Sequence, residues 1–188
     1  MNATLERPTE LAAQTEPKVW VISDTHWNHA NIIKYENRPF ESTDHMDEEM
    51  IRAWNLTVAP GDIVYHLGDV VFGSTYVKEN ILPRLNGYKI LRMGNHDRRN
   101  SKSVWLKYFD EVYNDDILLE DICLSHEPLS EYEMTRLLAL GLIKGNCHGH
   151  LHSAIEEMDQ SKYKCVSVEL TDYRPIPFDE VKAHFGVK

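Results

Sequence analysis

Gly94-Asn95-His96-Asp97 puts an amide, an imidazole and a carboxylate into four positions directly after an apolar run, Tyr88 to Met93. The same arrangement, an apolar strand followed by His or Asp, recurs at Asp24-Thr25-His26, Gly68-Asp69, Ser125-His126 and His148-Gly149-His150-Leu151-His152. Collected, the polar groups at these ends are Asp24, His26, Asp69, Asn95, His96, His126, His150 and His152. Carboxylate, amide and imidazole together suit borderline divalent ions such as Mn, Fe, Zn, Co or Ni; calcium takes all-oxygen shells. Two pairs, Asp24-x-His26 and His150-x-His152, are expected to point i and i+2 to the same side of an extended segment. Eight candidate groups exceed the four that one tetrahedral ion takes, so two ions are the natural solution.

Each piece alone has a blander reading. Asn, His and Asp are common in turns, Gly68-Asp69 by itself says almost nothing, and His126 by itself reads as a satisfied core histidine. Their joint occurrence is not explained by packing, because clustered polar groups without partners are costly to bury.

The elements that must carry these ends follow from periodicity. Lys18 to Ser23 reads as a first strand. His29 to Phe40 reads as a loop with a short helical piece, ending at Arg38-Pro39. Asp44 is expected to cap a helix with Met46, Met50, Trp54 and Val58 on its apolar stripe, stopped by Pro60-Gly61. Asp62 to Leu67 is a second strand. Val77, Ile81, Leu82 and Leu85 mark a helix that Pro83 weakens, and Asn86-Gly87 turns into the strand before Asn95. Ser101 to Phe109 is expected to be helical. Short strands follow around Ile117-Leu119 and Asp121-Leu124, then a helix with a Ser130/Glu133 capping box that stops at Gly141. A strand runs into His148, Tyr163 to Leu170 is a late strand, and Pro177 to Phe185 is a closing helix. Strands alternating with helices give an α/β class with one domain, residues 18–188, in which later strands can pair antiparallel.

Composition sets outer bounds. The chain has 188 residues, 42% hydrophobic and 27% charged, enough for one well-buried core. Its net charge of −10 argues against a surface that grips long nucleic-acid duplexes. It leaves room for a nucleotide or a strand end, since bound cations invert the local field. Cys123, Cys147 and Cys165 form no C-x-x-C pair and read as reduced thiols. Met1 to Pro17 is polar and acidic, and reads as a flexible lead-in without a secretory signal. No apolar run reaches the roughly 20 residues needed to span a bilayer. The expected location is the cytoplasm.

Asp24-x-His26, Gly68-Asp69, Gly94-Asn95-His96-Asp97, Ser125-His126 and Gly149-His150-x-His152, in this order over Val19 to about Leu170, resemble the signature of the calcineurin-like metallophosphoesterases. Asn28 to Phe40 also resembles a small bacterial and phage-type subgroup. The resemblance implies a four-layer α/β/β/α sandwich and a dinuclear centre. Asp24, His26 and His152 would hold one ion, Asn95, His126 and His150 the other, and Asp69 would bridge them. His96 would then be the catalytic histidine, with Asp97 orienting it or anchoring its loop.

The function expected on this basis is hydrolysis of phosphate esters, diesters favoured. Two divalent ions, Mn foremost, clamp the phosphate and supply hydroxide at neutral pH, while His96 protonates the departing oxygen. Arg98, Arg99, His29, Asn31 and Arg38 are the candidate substrate-binding residues, although Arg38 also suits a structural role beside Tyr35 and Phe40. His148 reads as supporting or core, and His66 as packing. The expected partner is a phosphate-ester small molecule, a nucleotide or a nucleic-acid end. The alternative is a metal-binding interaction scaffold of the same fold; the presence of His96 and every ligand position speaks against it. A nucleic-acid-binding module would need a basic stripe with interleaved aromatics, which is missing here.

Overall fold

The computed structural model describes residues 16–188. Residues 1–15, and with them most of the expected lead-in, lie outside the described residues. Two sheets face each other. The first holds β1 (Val19–Ile22), β2 (Ile63–His66), β3 (Tyr88–Arg92), β4 (Glu111–Tyr113) and the two-residue β9 (Ile176–Pro177), in the order β4-β3-β2-β1-β9. The second holds β5 (Ile117–Leu119), β6 (Ile122–Leu124), β7 (Gly145–His148) and β8 (Tyr163–Cys165), in that order. β1 to β4 run parallel, as do β6 to β8; β9 and β5 pair antiparallel at opposite ends of their sheets.

Alternation along β1 explains the layering. Trp20 and Ile22 point into one apolar layer, Val21 into another. The first layer lies under α1 (Ala30–Tyr35), α2 (Thr43–Thr57), α3 (Thr75–Ile81) and α4 (Lys102–Trp105), filled by Trp27, Trp54, Trp105 and the Met46/Met50/Ile51 face of α2. The second, with Leu67, Ile122, Leu124, Cys147 and Val166, lies between the sheets, where Phe178 and Val181 of α6 (Phe178–His184) also pack. A third, under α5 (Glu131–Ala139), gathers Cys123, Met134, Ile143 and Tyr163. This is a four-layer α/β/β/α sandwich in a single domain.

Local signals decide most element ends. Ser130 Oγ caps α5 by accepting the Glu133 amide at 3.3 Å, and donates to the Glu133 carboxylate at 2.8 Å, which takes the hydroxyl in place of the Ser130 amide expected of a full capping box. α2 differs from expectation at its start. Ser42, not Asp44, is the cap and accepts the His45 amide at 3.1 Å, leaving Asp44 in the first turn, where the helix dipole favours an acid. α4 is one turn long instead of running from Ser101 to Phe109. Beyond Trp105 the chain continues as turns, with Leu106 and Lys107 exposed and Phe109 buried in the first layer. The late strand is also shorter: β8 ends at Cys165, and Val168–Leu170 forms a 3₁₀ turn. All parallel strands of the first sheet deliver their carboxyl ends to one edge, and β6 and β7 deliver theirs beside it. Ligands collect at such an edge in open α/β sheets.

Candidate metal centre

The strand-end loops are bent sharply. Asp24 (φ 57°), His26 (48°), Asp69 (56°), His150 (69°) and His152 (51°) all occupy the left-handed region. That conformation is costly for residues with a Cβ and persists only where the surroundings dictate it. It corrects one expectation: Asp24/His26 and His150/His152 converge from turns beyond the strands, not from one side of extended chain.

Buried side chains hold these turns together. The Asp97 carboxylate accepts the amides of Asp69 (2.7 Å), Gly94 (2.8 Å) and Val70 (3.0 Å), joining the loops after β2 and β3. Burial pushes its carboxyl up to about 6, against the pull of those amides. The fully buried His66 accepts the Gly68 amide on Nδ1 (3.1 Å). Its Nε2 therefore carries the proton and meets Thr25 Oγ1 at 3.0 Å, and the Thr25 hydroxyl donates to the Val70 carbonyl. Burial lowers the His66 pKa to about 3, so the ring is neutral. Gly94 and Gly149 allow close approaches within the site. A Cβ on Gly94 would strike Asp69 Oδ1, and one on Gly149 would strike Asp24 Oδ2 and Ser23 Oγ.

Asp24 is wholly buried. Its Oδ2 accepts from the Ser167 hydroxyl (2.7 Å) and the His150 amide (2.9 Å), while Oδ1 has no hydrogen-bond partner. Oδ1 faces His152 Nε2 at 3.9 Å. Around Asp69 Oδ2 stand His126 Nε2 at 3.5 Å, His26 Nε2 at 3.6 Å and His96 Nε2 at 3.8 Å. His126 Nδ1 lies 2.9 Å from the Leu67 carbonyl, which fixes the proton there and leaves Nε2 as a lone pair aimed inward. His126 Nε2 also lies 2.8 Å from Asn95 Oδ1 and 3.3 Å from His150 Nδ1. Burial pushes His26 well down despite the Asp69 carboxylate, and pushes against His126, which Asp69 and Asp24 nonetheless raise. The structure thus brings Asp24, His26, Asp69, Asn95, His96, His126, His150 and His152 together.

The chain matches the profile of the family described as calcineurin-like phosphoesterase over residues 17–154. It belongs to that family. It is 35% identical over 171 residues to an uncharacterised protein of Methanocaldococcus jannaschii, covering 86% of this chain and 88% of that one. It is 30% identical over 191 residues to the Gene 66 protein of Mycobacterium phage D29, covering 87% and 94%. A crystal structure of an Aquifex aeolicus protein of unknown function superposes with a TM-score of 0.73 at 30% identity, covering 89% of this chain and 99% of that one. The phage and archaeal relatives fit the small subgroup that Asn28 to Phe40 resembles.

The phosphoesterase family implies divalent metal ions, and the donor set here fits them. Carboxylate oxygens and imidazole nitrogens 3.5–3.9 Å apart are too far for hydrogen bonds, yet suit two ligands of one ion, each roughly 2.1 Å from it. Asp24 Oδ1, buried and unpartnered, is the kind of atom an ion satisfies. The triads Asp24/His26/His152 and Asp24/Asp69/His126 each offer donor atoms within 4.8 Å of one another.

The remaining candidate residues divide. Arg38 takes the structural one of its two expected roles, with its hydrogens spent inside the protein. It is buried, and its guanidinium hydrogens go to Glu169 (2.6 and 2.8 Å), the carbonyls of Asp24 and Thr25 (2.8 Å each) and Met46 Sδ (3.4 Å). Asp97 touches only backbone, as described above, so its part is to anchor the loop. His29 stands at the rim, its ring stacked on Phe72 at 4.2 Å and 5.4 Å from His26. Arg98 and Arg99 are exposed beside His96, and Asn31 faces solvent from α1. His148 lies under the site with Nδ1 on the Gly149 carbonyl at 2.8 Å.

Sequence reasoning missed Glu169. Its Oε2 lies 3.1 Å from His152 Nδ1, and its other oxygen takes the Arg38 pair. Burial alone would raise the Glu169 carboxyl, but His152 and Arg38 hold it down. The same contact lifts His152 in spite of burial. The available signal was a lone carboxylate two residues beyond Ser167, in a stretch read as strand.

Proposed function

We propose that this protein hydrolyses phosphate esters, phosphodiesters before monoesters, at a centre of two divalent ions. Asp24, His26 and His152 would hold one ion, Asn95, His126 and His150 the other, with Asp69 shared. When bound, the pair would neutralise phosphate charge and lower the pKa of water toward 7, supplying hydroxide at neutral pH. The chain's own groups do the rest. Water supplies the oxygen that ends on phosphorus, and the ester oxygen departs with the bonding pair. His96 gives that oxygen its proton from Nε2, at the only one of these imidazoles besides His150 that opens widely to solvent; its side chain is 33% exposed. The Asp97 brace keeps Asp69 and His96 in register. The exposed side at Asn95 and His150 leaves room for a second ester substituent, which supports the preference for diesters.

The observation that carries the reading is the convergence of carboxylate and imidazole donors around Asp69 Oδ2 and the unpartnered Asp24 Oδ1. Manganese is the first ion to test, with Fe, Zn, Ni and Co after it. Metal-reconstituted protein is assayed against phosphomonoesters, diesters and nucleotides. His96→Ala should lower turnover roughly 10²- to 10⁴-fold while metal content stays at the wild-type level. Well-folded, metal-loaded protein that hydrolyses nothing in the panel would return the scaffold reading instead.

A further inference from the structure

Among the clefts on the described surface, four are edged by at least two carboxylates each, as a chain of net charge −10 leads one to expect. Asp44, Asp47 and Glu48 edge one, Glu120 and Asp179 another, and Glu157 belongs to the remaining two together with Glu131 or Glu156. A fifth, of about 290 Å³, has none. It is lined by Val71, Phe72, Gly73, His96, Arg99 and Asn100, and so begins at the proposed proton donor.

Its cation is held in place. One face of Phe72 stacks on His29 at 4.2 Å, and the Arg99 guanidinium carbon lies 5.5 Å from the same ring's centroid. An aromatic face gives a guanidinium a fixed seat without neutralising it. Arg52, Arg84, Arg92 and Arg174 each lie against a carboxylate. Arg98 and Arg99 have no ion-pair partner among the described residues. With Lys102 and Lys107 they make four cations in ten residues containing no acid. A cation without a carboxylate partner, lining a cleft that begins at the departing-oxygen side of the centre, is matched by an anion on the departing group.

We propose that this cleft is a leaving-group subsite for a group that carries a phosphate of its own, held by Arg99. It rests on the phosphoesterase reading and narrows it to diesters whose departing part is a nucleotide, either single or the end of a strand. A charge-assisted hydrogen bond to phosphate is worth about 1.5–3 kcal/mol, or about ten- to a hundredfold.

The test compares kcat/KM for the dinucleotide TpT, whose departing thymidine is neutral, with pTpT and TpTp, which each carry one terminal phosphate, and with a ten-residue oligothymidylate. Wild type should prefer one of the phosphorylated dinucleotides over TpT by tenfold or more, chiefly through KM. Arg99→Gln should bring the ratio to within about twofold of one, while Arg136→Gln, on α5, should leave it as in wild type. A wild-type ratio near one, or a ratio that Arg99→Gln does not move, overturns the subsite. An oligothymidylate advantage over both dinucleotides identifies a strand end as the source of the phosphate, and its absence a single nucleotide. Calorimetry separates this from the hydrolase reading itself. Thymidine 3′,5′-bisphosphate should bind wild type at least tenfold more tightly than Arg99→Gln, even if no ester is cleaved; equal binding overturns the subsite.

Discussion

The two halves of the centre are built differently. Around Asp24, His26 and His152 the protein is dry and braced: Asp24 is fully buried, His152 leans on Glu169, and Arg38 ties Glu169 to the carbonyls of Asp24 and Thr25. Around Asn95, His126 and His150 only His126 is buried, held by a backbone carbonyl, while Asn95 and His150 are exposed. A charged partner behind a ligating imidazole fixes its tautomer and raises its basicity. If two ions bind as proposed, the contrast teaches that one is expected to be a tightly held fixture and the other readily exchanged, on the more exposed side.

Four measurements break or sharpen that contrast. Asp69→Ala removes the carboxylate both halves share. Hydrolysis is expected to fall at least about 10³-fold, since each ion supplies several kcal/mol of charge stabilisation. Activity within tenfold of wild type would mean the halves act independently. His150→Ala strips a donor from the open half, so the weaker step of a manganese titration should weaken about a hundredfold or vanish, with the tighter step kept. Glu169→Gln keeps shape but removes charge behind His152, and the tighter step should weaken ten- to a hundredfold. Equal weakening of both steps in either variant would end the distinction.

The smallest effect lies in the support beneath both halves. Neutral His66, its pKa about 3 when folded and about 6.5 unfolded, binds fewer protons than the unfolded chain between those values. Stability therefore falls as pH drops through that window, by about 2 kcal/mol from this residue between pH 7 and 5. Urea denaturation of metal-free protein should show His66→Gln losing less than wild type over that interval. Parallel losses would remove His66 from the account.

What the sequence disclosed, and what it hid, follows the range of the interactions. The converging donors stand in short motifs because each strand end delivers its groups locally, so Asp24, His26, Asp69, His126 and His150 can be picked out as a set. The Ser130 cap is legible for the same reason. For Arg38 the sequence left a substrate contact and a structural role both open, because the groups that absorb it lie far along the chain: its hydrogen bond to Glu169 spans 131 residues. Glu169 went unseen because a single acid after a short strand looks like any surface glutamate. The left-handed turns were hidden too, since that conformation at Asp24 or His152 is imposed by packing and not by residue type.

The Arg38–Glu169 clasp also has a consequence in time. A ribosome adding about 5–20 residues per second needs on the order of ten seconds to travel from one partner to the other. Throughout that interval the first-made donors, Asp24 and His26, exist without their brace or the hydroxyl of Ser167. If the proposed ions bind, the tighter one is then expected to load only after the chain's last quarter has folded back onto its first.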